Sequence, residues 1–433
     1  MTREFPASAR LLERIKKVMP AASSTYSKSY RYYCEGAAPA FLASGKGSHV
    51  LDVDGHEYID YVMALGPVIV GYNDERINRA MIDQLEKGIS FSLSTELEVR
   101  LAEKLVEIIP CAEMVKFMKS GSEATSAAVR LARAHTGRDM VFCCGYHGWQ
   151  DWYIGTTQNH LGVPQCVREL TKTFVYNDLD GLDILFRQNQ GKVAAVIMEP
   201  VSFELPREGY LQSVKELAHR HGALLIFDEV ITGFRMGLSG AQGYFGVIPD
   251  LAAFGKAMGN GAAISAVAGP ADVMKQIERG AFISTTFGGE CLAIAAALKT
   301  IEILEQEKPL DYFTRLGARF LEGISRLIGQ EKLEHVVQTA GIPSHFALRF
   351  EGDARLDTYD LFSVFQQEVL QNGILMIGSH NFCLAHNDAD IDLSLEAYAQ
   401  ALPMVRKALE KGSLEGILRG GKFRPVFRRD SVR

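Results

Sequence analysis

Four short stretches of this 433-residue chain place polar or charged groups directly after apolar runs. They are SGSEA at residues 120–124, GYHGW at 145–149, DEV at 228–230 and GKAMGNG at 255–261. In open α/β sheets, ligands collect beyond the carboxyl ends of the strands. The four stretches are therefore candidates for parts of one binding or catalytic site.

The first stretch joins an apolar run to the start of a predicted helix. Gly121 and Ser122 lie where backbone N–H groups and the helix dipole form a cup for an anion, with a serine hydroxyl as an extra donor. The alternative is a serine that only caps the helix. A phosphate group is a ligand that such a cup would accept.

The other three stretches each carry a distinctive side chain. Tyr146 offers an aromatic face to a planar ligand, whereas the adjacent His147 is more often a structural hydrogen-bonding group than a catalyst. Asp228 ends a strongly apolar run, so its carboxylate needs a cation, which is either a ligand or a protein group such as Arg235. Lys256 is either a solvated surface lysine or a buried nucleophile whose lowered pKa suits Schiff-base chemistry.

These groups together match the parts of pyridoxal 5'-phosphate (PLP). The anion cup suits its phosphate, and Lys256 can form an imine with its aldehyde. Asp228 would pair with the pyridine nitrogen and keep it protonated, which makes the ring an electron sink. Tyr146 would cover one face of the ring and Val230 the other. PLP is therefore the predicted cofactor, and no metal is predicted.

The elements that must position these residues alternate between strands and helices. Short apolar runs typical of buried parallel strands are DMVFCC, AAVIMEP and GALLIFDEV, and helical periodicity covers residues 95–109, 122–136 and 210–221. A helix between two such strands makes a βαβ unit, so the pattern predicts a mostly parallel sheet with helices on both faces.

The chain on either side of this region follows other patterns. Residues 7–19 show helical spacing, residues 21–33 form a polar, aromatic arm, and two short strands follow. The pattern changes again near residue 310. We predict an N-terminal arm with part of a small domain (residues 1–70), a large PLP-binding domain (71–310) and a C-terminal small domain (311–433).

Composition excludes several classes of protein. A net charge of -6 provides no basic field for nucleic acid and no polybasic membrane patch. No apolar run reaches bilayer length, and no N-terminal segment resembles a signal peptide. The seven cysteines are an odd number without metal-ligand spacing, as expected for free thiols in a reducing compartment. A cytoplasmic enzyme is predicted, with no nucleic-acid or membrane partner.

Several motifs occur together in an order that identifies a family. They are LDVDGHEYIDY, SGSEA, YHGW, HGALLIFDEVITGFR, PDLAAFGKAMGNG and TTFGGE. Through nearly its whole length the chain resembles class III aminotransferases of PLP fold type I, in the branch of glutamate-1-semialdehyde aminomutase. The resemblance implies an α/β fold: a large domain with a mostly parallel seven-stranded sheet flanked by helices, and a smaller α+β domain.

The same resemblance implies roles for individual residues. It makes Lys256 the lysine that binds the cofactor as a Schiff base, Asp228 the pyridine partner and Tyr146 the stacking aromatic ring, and it matches Gly121 and Ser122 to the phosphate cup. Two further matches extend this set.

Thr286 matches a threonine that reaches the phosphate from the neighbouring subunit, which implies a homodimer with shared active sites. Glu199 matches a carboxylate near the cofactor, with a purely structural carboxylate as the alternative.

Two departures from the aminomutase pattern concern the substrate. The segment PAASSTYSK places Lys28 where the aminomutase arm has an arginine that grips a carboxylate, and lysine lacks the bidentate fork. The segment GSHNFCLAH is short and contains no acidic residue, unlike the matching aminomutase loop. Both differences argue against an aminomutase. His380 and Asn381 in this loop either touch the substrate or brace the loop.

The predicted activity is a ping-pong transfer of an amino group from an amino donor to a keto or aldehyde acceptor. Tyr26, Lys28 and Trp149 suggest a polar, anionic substrate with a flat or sugar-like part. Relatives with a TYSK-like arm are associated with saccharide or secondary-metabolite biosynthesis. The alternatives are a glutamate-1-semialdehyde-type 2,1-aminomutase, a PLP-dependent lyase, or a PLP-binding protein without turnover.

Overall fold

The computed structural model describes residues 3–201 and 203–424, which form two compact units. One unit is formed by the chain up to Asp74 together with the chain from Asp311 onward, and the other by Glu75–Leu310. The strands are β1 Leu42–Lys46, β2 His49–Asp52, β3 Glu57–Asp60, β4 Met114–Met118, β5 Met140–Cys144, β6 Thr171–Thr173, β7 Val193–Met198, β8 Leu224–Asp228, β9 Leu251–Phe254, β10 Ser265–Gly269, β11 Val337–Ile342, β12 His345–Phe350, β13 Ile374–Leu375 and β14 Ser379–Asn381.

The α-helices are α1 Pro6–Ile15, α2 Glu75–Leu85, α3 Glu96–Ile108, α4 Gly121–Thr136, α5 Asp151–Ile154, α6 Gln165–Arg168, α7 Leu179–Gln188, α8 Tyr210–Arg220, α9 Gly240–Phe245, α10 Ala271–Met274, α11 Cys291–Glu307, α12 Leu310–Gln330, α13 Thr358–Gln371 and α14 Asp388–Lys411. Short 3-10 helices occur at Pro20–Ala22, Tyr26–Lys28, Tyr30–Tyr32, Met63–Leu65, Lys256–Gly259 and Lys275–Ile277. The three helices predicted from periodicity in the central region are confirmed as α3, α4 and α8.

A seven-stranded sheet forms the centre of the Glu75–Leu310 unit. Its strand order is β4-β10-β9-β8-β7-β5-β6. The run from β9 to β6 is parallel, whereas β10 is antiparallel to both of its neighbours. The prediction of a mostly parallel, seven-stranded sheet is confirmed.

Both faces of this sheet are covered because its strands are apolar on both sides. In β8, Ile226 points into a core that includes Ala128 of α4, whereas Leu225 and Phe227 point into a second core that includes Leu217 of α8. This alternation is the period of two expected for a strand between two helical layers. All five of these side chains are completely buried.

The other unit combines two small sheets with helices. A four-stranded sheet has the order β1-β2-β3-β13, and a three-stranded antiparallel sheet has the order β11-β12-β14. Helices α1, α13 and α14 belong to this unit, as does α12 from Asp311 onward. The smaller α+β architecture is therefore present. The first helix ends at Ile15, earlier than predicted, and the aromatic arm consists of consecutive 3-10 turns.

A tight bend follows β3 in this unit. Met63, Ala64 and Leu65 have φ values of 46°, 56° and 80°, a left-handed conformation that non-glycine residues rarely adopt. The buried carboxylate of Asp60 accepts hydrogen bonds from the Val62 N–H at 2.7 Å and the Met63 N–H at 3.1 Å. Because these amides have fixed partners, the strained backbone is held in place.

None of the helices within residues 3–201 and 203–424 combines the length and the apolar character that a membrane span requires. The seven cysteines are all unpaired, and Cys166 is the exposed one.

Candidate active site

The four chemically distinctive stretches meet at one edge of the seven-stranded sheet. Strands β5, β7, β8 and β9 are parallel neighbours. Tyr146, Glu199 and Lys256 follow β5, β7 and β9, and Asp228 is the last residue of β8. Because the carboxyl ends of parallel strands share an edge, these side chains leave the sheet on the same side. Strand β4 runs in the same direction and leads directly into α4.

Asp228 is buried, and its carboxylate is fixed by two donors. One oxygen lies 2.8 Å from Nδ1 of His147, and the other accepts a hydrogen bond from the Val230 N–H at 3.1 Å. His147 is itself held, since its carbonyl accepts a hydrogen bond from the Thr125 hydroxyl at 2.8 Å. The group that meets the strand-end carboxylate is thus an imidazole, and a ligand cation can share the same carboxylate.

Lys256 follows β9 in a strained conformation with φ = 40°. Burial lowers the pKa of its ammonium group, while the negative charges of Glu199 and Asp228 oppose that shift. Burial, and then the charge of Asp228, raise the pKa of Glu199. A lysine with a lowered pKa keeps a larger fraction of neutral amine, which is the nucleophilic form.

The start of α4 leaves two backbone donors free. Ser120 caps the helix by accepting a hydrogen bond from the Glu123 N–H at 3.3 Å, and Glu123 accepts one from the Ser120 N–H at 2.8 Å. The capping role considered for this stretch therefore belongs to Ser120. Across residues 3–201 and 203–424, the N–H groups of Gly121 and Ser122 have no hydrogen-bond partner. They are available to an anion at the N-terminus of a helix.

The backbone around this helix start is too close to its neighbours for larger residues. A Cβ atom on Gly121 would lie 2.7 Å from Cγ1 of Val230, and one on Gly148 would lie 2.2 Å from Oγ of Ser122. Gly148 also has a φ of 110°, which favours glycine. The two glycines therefore allow a close approach of the backbone that any other residue would prevent.

Three other predicted site residues of this unit are exposed. Tyr146 is 50% exposed, and its N–H donates to Glu199 at 3.2 Å. Trp149, three residues further on, is 69% exposed. Thr286 is exposed in the segment before α11, where Arg130 donates to the carbonyl of Phe282 at 2.7 Å. The backbone of Tyr146 thus connects it to the carboxylate of Glu199.

Four predicted substrate residues belong to the other unit. Tyr26 and Lys28 are exposed on the 3-10 arm, and Lys28 lies near enough to Asp60 to favour the ionised form of that carboxyl group. Burial nevertheless raises the pKa of Asp60 to about 6. A substrate contact for Tyr26 or Lys28 stays a prediction.

His380 and Asn381 are buried within the same unit. His380 lies 2.5 Å from the Tyr398 hydroxyl, and burial lowers its pKa to about 3. Asn381 donates to the carbonyls of Tyr61 at 3.3 Å and Val62 at 3.2 Å, at the base of the strained bend. These are the contacts of bracing side chains, which is the alternative considered for both residues. A substrate contact for either one stays a prediction.

His147 is the site residue that sequence reasoning undervalued. The sequence shows that it lies three residues after a buried strand, but its partner Asp228 is distant in the sequence. Nε2 of His147 is buried without a hydrogen-bond partner in the described part of the chain. A histidine at hydrogen-bond distance from a strand-end carboxylate can hold that carboxylate in one orientation.

The residues at this edge fit PLP. The free amides of Gly121 and Ser122 can hold the phosphate, and Asp228 can pair with the ring nitrogen. Lys256 lies just after the neighbouring strand, β9, and its amine can bind the aldehyde. Bound PLP supplies an electron sink for reactions at an amine-bearing carbon. The sheet and the site together define a PLP-dependent enzyme of fold type I.

The chain belongs to the class-III aminotransferases, because the aminotransferase class-III family model matches residues 32–402. It is 38% identical to the 3-aminobutyryl-CoA aminotransferase of Cloacimonas acidaminovorans, over 93% of this chain and 98% of that one. It is 36% identical to glutamate-1-semialdehyde 2,1-aminomutase 2 of Lachnoclostridium phytofermentans, over 91% of this chain and 99% of that one.

The fold is also similar to a solved structure that contains the cofactor. The FumI protein of Sphingopyxis sp. MTA144, in its PLP internal aldimine form, superposes with a TM-score of 0.86 at 29% identity. The match covers 95% of this chain and 99% of FumI. The protein is thus a PLP-dependent aminotransferase by family, and its amino donor and carbonyl acceptor are small molecules.

Proposed function

We propose that Lys256 and Asp228 are the catalytic residues of this aminotransferase. The observation that carries the proposal is their position at adjacent strand ends, with Asp228 fixed by His147 at 2.8 Å. Lys256 would hold the cofactor through its Nζ. As a free amine, the same Nζ would act as the base and acid that moves a proton at the amine-bearing carbon of the substrate. Asp228 would pair with the ring nitrogen of the cofactor and favour its protonated form.

The remaining cofactor contacts follow from the same edge of the sheet. Gly121 and Ser122 would donate their backbone N–H groups to the phosphate. Tyr146 would cover one face of the ring and Val230 the other. Glu199 lies in the site near Lys256, and its negative charge raises the pKa of that lysine.

The lysine assignment can be tested directly. Borohydride reduction of the holoenzyme followed by peptide mapping should place the cofactor on Lys256. Lys256→Ala should remove the visible absorbance of lysine-bound PLP and abolish turnover, while thermal unfolding stays cooperative. Lys275→Ala, an exposed lysine of the same unit, is the control and should change nothing. A reduced cofactor found on another residue would exclude Lys256.

We propose a ping-pong reaction with two separate substrates. Support comes from the absence of the carboxylate-gripping arginine, since Lys28 occupies that position on the arm. An amino donor alone should convert the enzyme to its amine-loaded form, and a carbonyl acceptor should restore the original absorbance. A product formed from one substrate without a partner would instead indicate the aminomutase, and release of a leaving group would indicate the lyase.

We further propose that one substrate is a coenzyme A thioester with an amino or keto group at carbon 3. The relative with 38% identity is a 3-aminobutyryl-CoA aminotransferase. A thioester has no free carboxylate, so a site with lysine in place of a bidentate arginine is sufficient for it. Mass spectrometry should detect conversion of 3-aminobutyryl-CoA with a keto-acid acceptor. Conversion of keto sugars or ω-aldehydes alone would favour the saccharide or secondary-metabolite role.

We propose a homodimer in which Thr286 reaches the phosphate of the partner's cofactor. Ile89, Phe91 and Leu93 are exposed apolar residues of one short segment, and Leu93 is 85% exposed. The Cys291 N–H at the start of α11 donates to the Ile89 carbonyl at 2.8 Å, which fixes this segment. A group of exposed apolar side chains on one segment is typical of a contact with another protein. We also propose that the enzyme acts in the cytoplasm, which cell fractionation can check.

Sedimentation tests the dimer. Leu93→Asp should shift the protein toward monomer and weaken PLP binding, whereas Leu161→Asp, a fully exposed leucine on another segment, should leave the dimer intact. Thr286→Ala should weaken PLP binding without changing the mass. A monomeric wild-type enzyme with full turnover would overturn this assignment.

A further inference from the structure

The turn before the anion cup lies at the edge of the seven-stranded sheet. It consists of Lys119 and Ser120, which connect β4 to the start of α4 at Gly121. Within the sheet that residues 3–201 and 203–424 form, β4 is an edge strand and β10 is its one neighbour. From β10, the Ser265 hydroxyl donates to the Ser120 carbonyl at 2.8 Å. The sheet therefore supports this turn through a single strand.

The side chain of Lys119 gives the turn a second support. Its Nζ lies 3.0 Å from Oε2 of Glu290, and the two side chains are only 19% and 17% exposed. Salt screens an ion pair that is partly shielded from water less than it screens a fully exposed pair. The chain just before Glu290 also packs on β4, since a Cβ atom on Gly288 would lie 3.0 Å from the Phe117 carbonyl. The ion pair thus joins the turn to the start of α11.

Glu290 makes this contact while it caps α11. Its carboxylate accepts hydrogen bonds from the Leu292 N–H at 2.8 Å and the Ala293 N–H at 3.2 Å. Serine, threonine, aspartate and asparagine are the residues that usually cap a helix in this way. Glutamate has a longer side chain than any of them, and here it caps the helix and also meets Lys119. A role beyond capping explains why a glutamate occupies this position.

The direction of the cup's amides depends on the same turn. The N–H groups of Lys119 and Ser120 both donate to one carboxylate oxygen of Glu123, at 3.0 and 2.8 Å. The turn and the first turn of α4 are therefore connected, and the N–H groups of Gly121 and Ser122 lie between them. Amides bind a phosphate well when they point at one place and their support is rigid. A displacement of Lys119 would change that direction.

We propose that the ion pair of Lys119 and Glu290 positions the anion cup for the cofactor phosphate. The proposal rests on the assignment of Gly121 and Ser122 to that phosphate, and it adds the groups that hold their amides in place. Lys119 acts through the backbone of the turn, because Glu290 already neutralises its charge. Loss of either partner should therefore weaken phosphate recognition. If Lys119 instead attracted the phosphate by its charge, loss of Glu290 would strengthen it.

Titration of the cofactor-free, full-length enzyme with PLP and with pyridoxal, which lacks the phosphate, measures what the cup contributes. The wild type should bind PLP more tightly than pyridoxal. Lys119→Met and Glu290→Asn should each weaken PLP binding about five- to tenfold and leave pyridoxal binding unchanged. Asparagine still caps a helix, so Glu290→Asn removes the ion pair and keeps α11 capped. Lys119→Arg keeps a cation for Glu290 and should retain the wild-type preference.

Lys104→Met is the matched control. Lys104 also pairs with a glutamate of α11, since its Nζ lies 3.1 Å from Glu305, and its side chain is 28% exposed. That pair joins α3 to α11 and has no contact with the turn before the cup. Its loss should leave the affinities for PLP and for pyridoxal unchanged.

The proposal and the assignment on which it rests fail in different ways. Unchanged PLP binding in Lys119→Met and Glu290→Asn, or an equal loss for PLP and pyridoxal, would overturn the positioning role. Tighter PLP binding by Glu290→Asn would also overturn it, since Lys119 would then act by its charge. A wild-type enzyme that binds PLP and pyridoxal equally would instead overturn the assignment of Gly121 and Ser122 to the phosphate.

Discussion

Replacement of His147 by phenylalanine isolates the contact that fixes Asp228. The phenyl ring keeps the volume of the imidazole, whose centre lies 6.1 Å from the Trp152 ring in a stacked arrangement. The Thr125 hydroxyl still finds the backbone carbonyl of residue 147. What is lost is the 2.8 Å contact between Nδ1 and Oδ2 of Asp228.

The expected loss of activity follows from the negative charge of Asp228, which is the acceptor in this contact. A hydrogen bond to a charged group contributes about 1.5–3 kcal/mol. At about 1.4 kcal/mol for each factor of ten, His147→Phe should lower kcat/KM by about 10- to 150-fold. Asp228→Asn should leave PLP bound but lower turnover by orders of magnitude, because a neutral partner no longer stabilises the protonated ring nitrogen.

The double variant decides whether the histidine acts through the aspartate. If it does, His147→Phe should have little further effect in the Asp228→Asn background, measured both as kcat/KM and as the PLP dissociation constant. An equal loss in both backgrounds would refute the argument that His147 positions Asp228. Circular dichroism of each variant provides the check on folding.

The other predictions concern the anion cup at Gly121, the stability of the fold at His49, and Lys28 on the N-terminal arm. Gly121→Ala places a methyl group 2.7 Å from Cγ1 of Val230, so PLP affinity measured by titration should fall and should partly recover when Val230→Ala is added. The hydrogen bond to Asp390 raises the pKa of His49, so this contact stabilises the fold below the usual histidine pKa and its contribution is lost as pH rises through the raised value. His49→Gln should therefore lower the melting temperature more at pH 6 than at pH 9, and the reverse order would contradict the assignment. Lys28→Ala should raise KM for an anionic substrate about tenfold with a smaller effect on kcat, whereas Lys28→Arg should not; an unchanged KM would mean a solvated arm.

The sequence predicted those features that depend on local pattern. Apolar runs identified β5, β7 and β8, because a strand that is buried on both faces is apolar at every position. Helical spacing identified α4 and α8, because a helix that is buried on one face repeats its apolar residues with the period of the helix. The same patterns place Asp228 and Lys256 at strand ends, so the sequence alone predicts that they belong to one site.

Other features depended on contacts between distant residues. The reversed direction of β10 leaves no trace in its composition, because a buried strand is apolar in either direction. The pairing of His147 with Asp228 requires two strand ends to meet in space. Side-chain geometry at the start of α4 decides that Ser120 caps the helix. It also leaves the N–H groups of Gly121 and Ser122 without a partner among the described residues.

The division of one unit between two parts of the chain has a consequence for biosynthesis. Ile59 of β3 pairs with Ile374 of β13, whereas the Glu75–Leu310 unit is continuous in the sequence. At about 5–20 residues per second, synthesis from Asp74 to Asp311 takes roughly ten to fifty seconds. During that time the edge of β3 lacks its later partner, and the continuous unit can fold first. Chaperones that bind nascent chains would therefore meet the N-terminal segment before the rest of its own sheet exists.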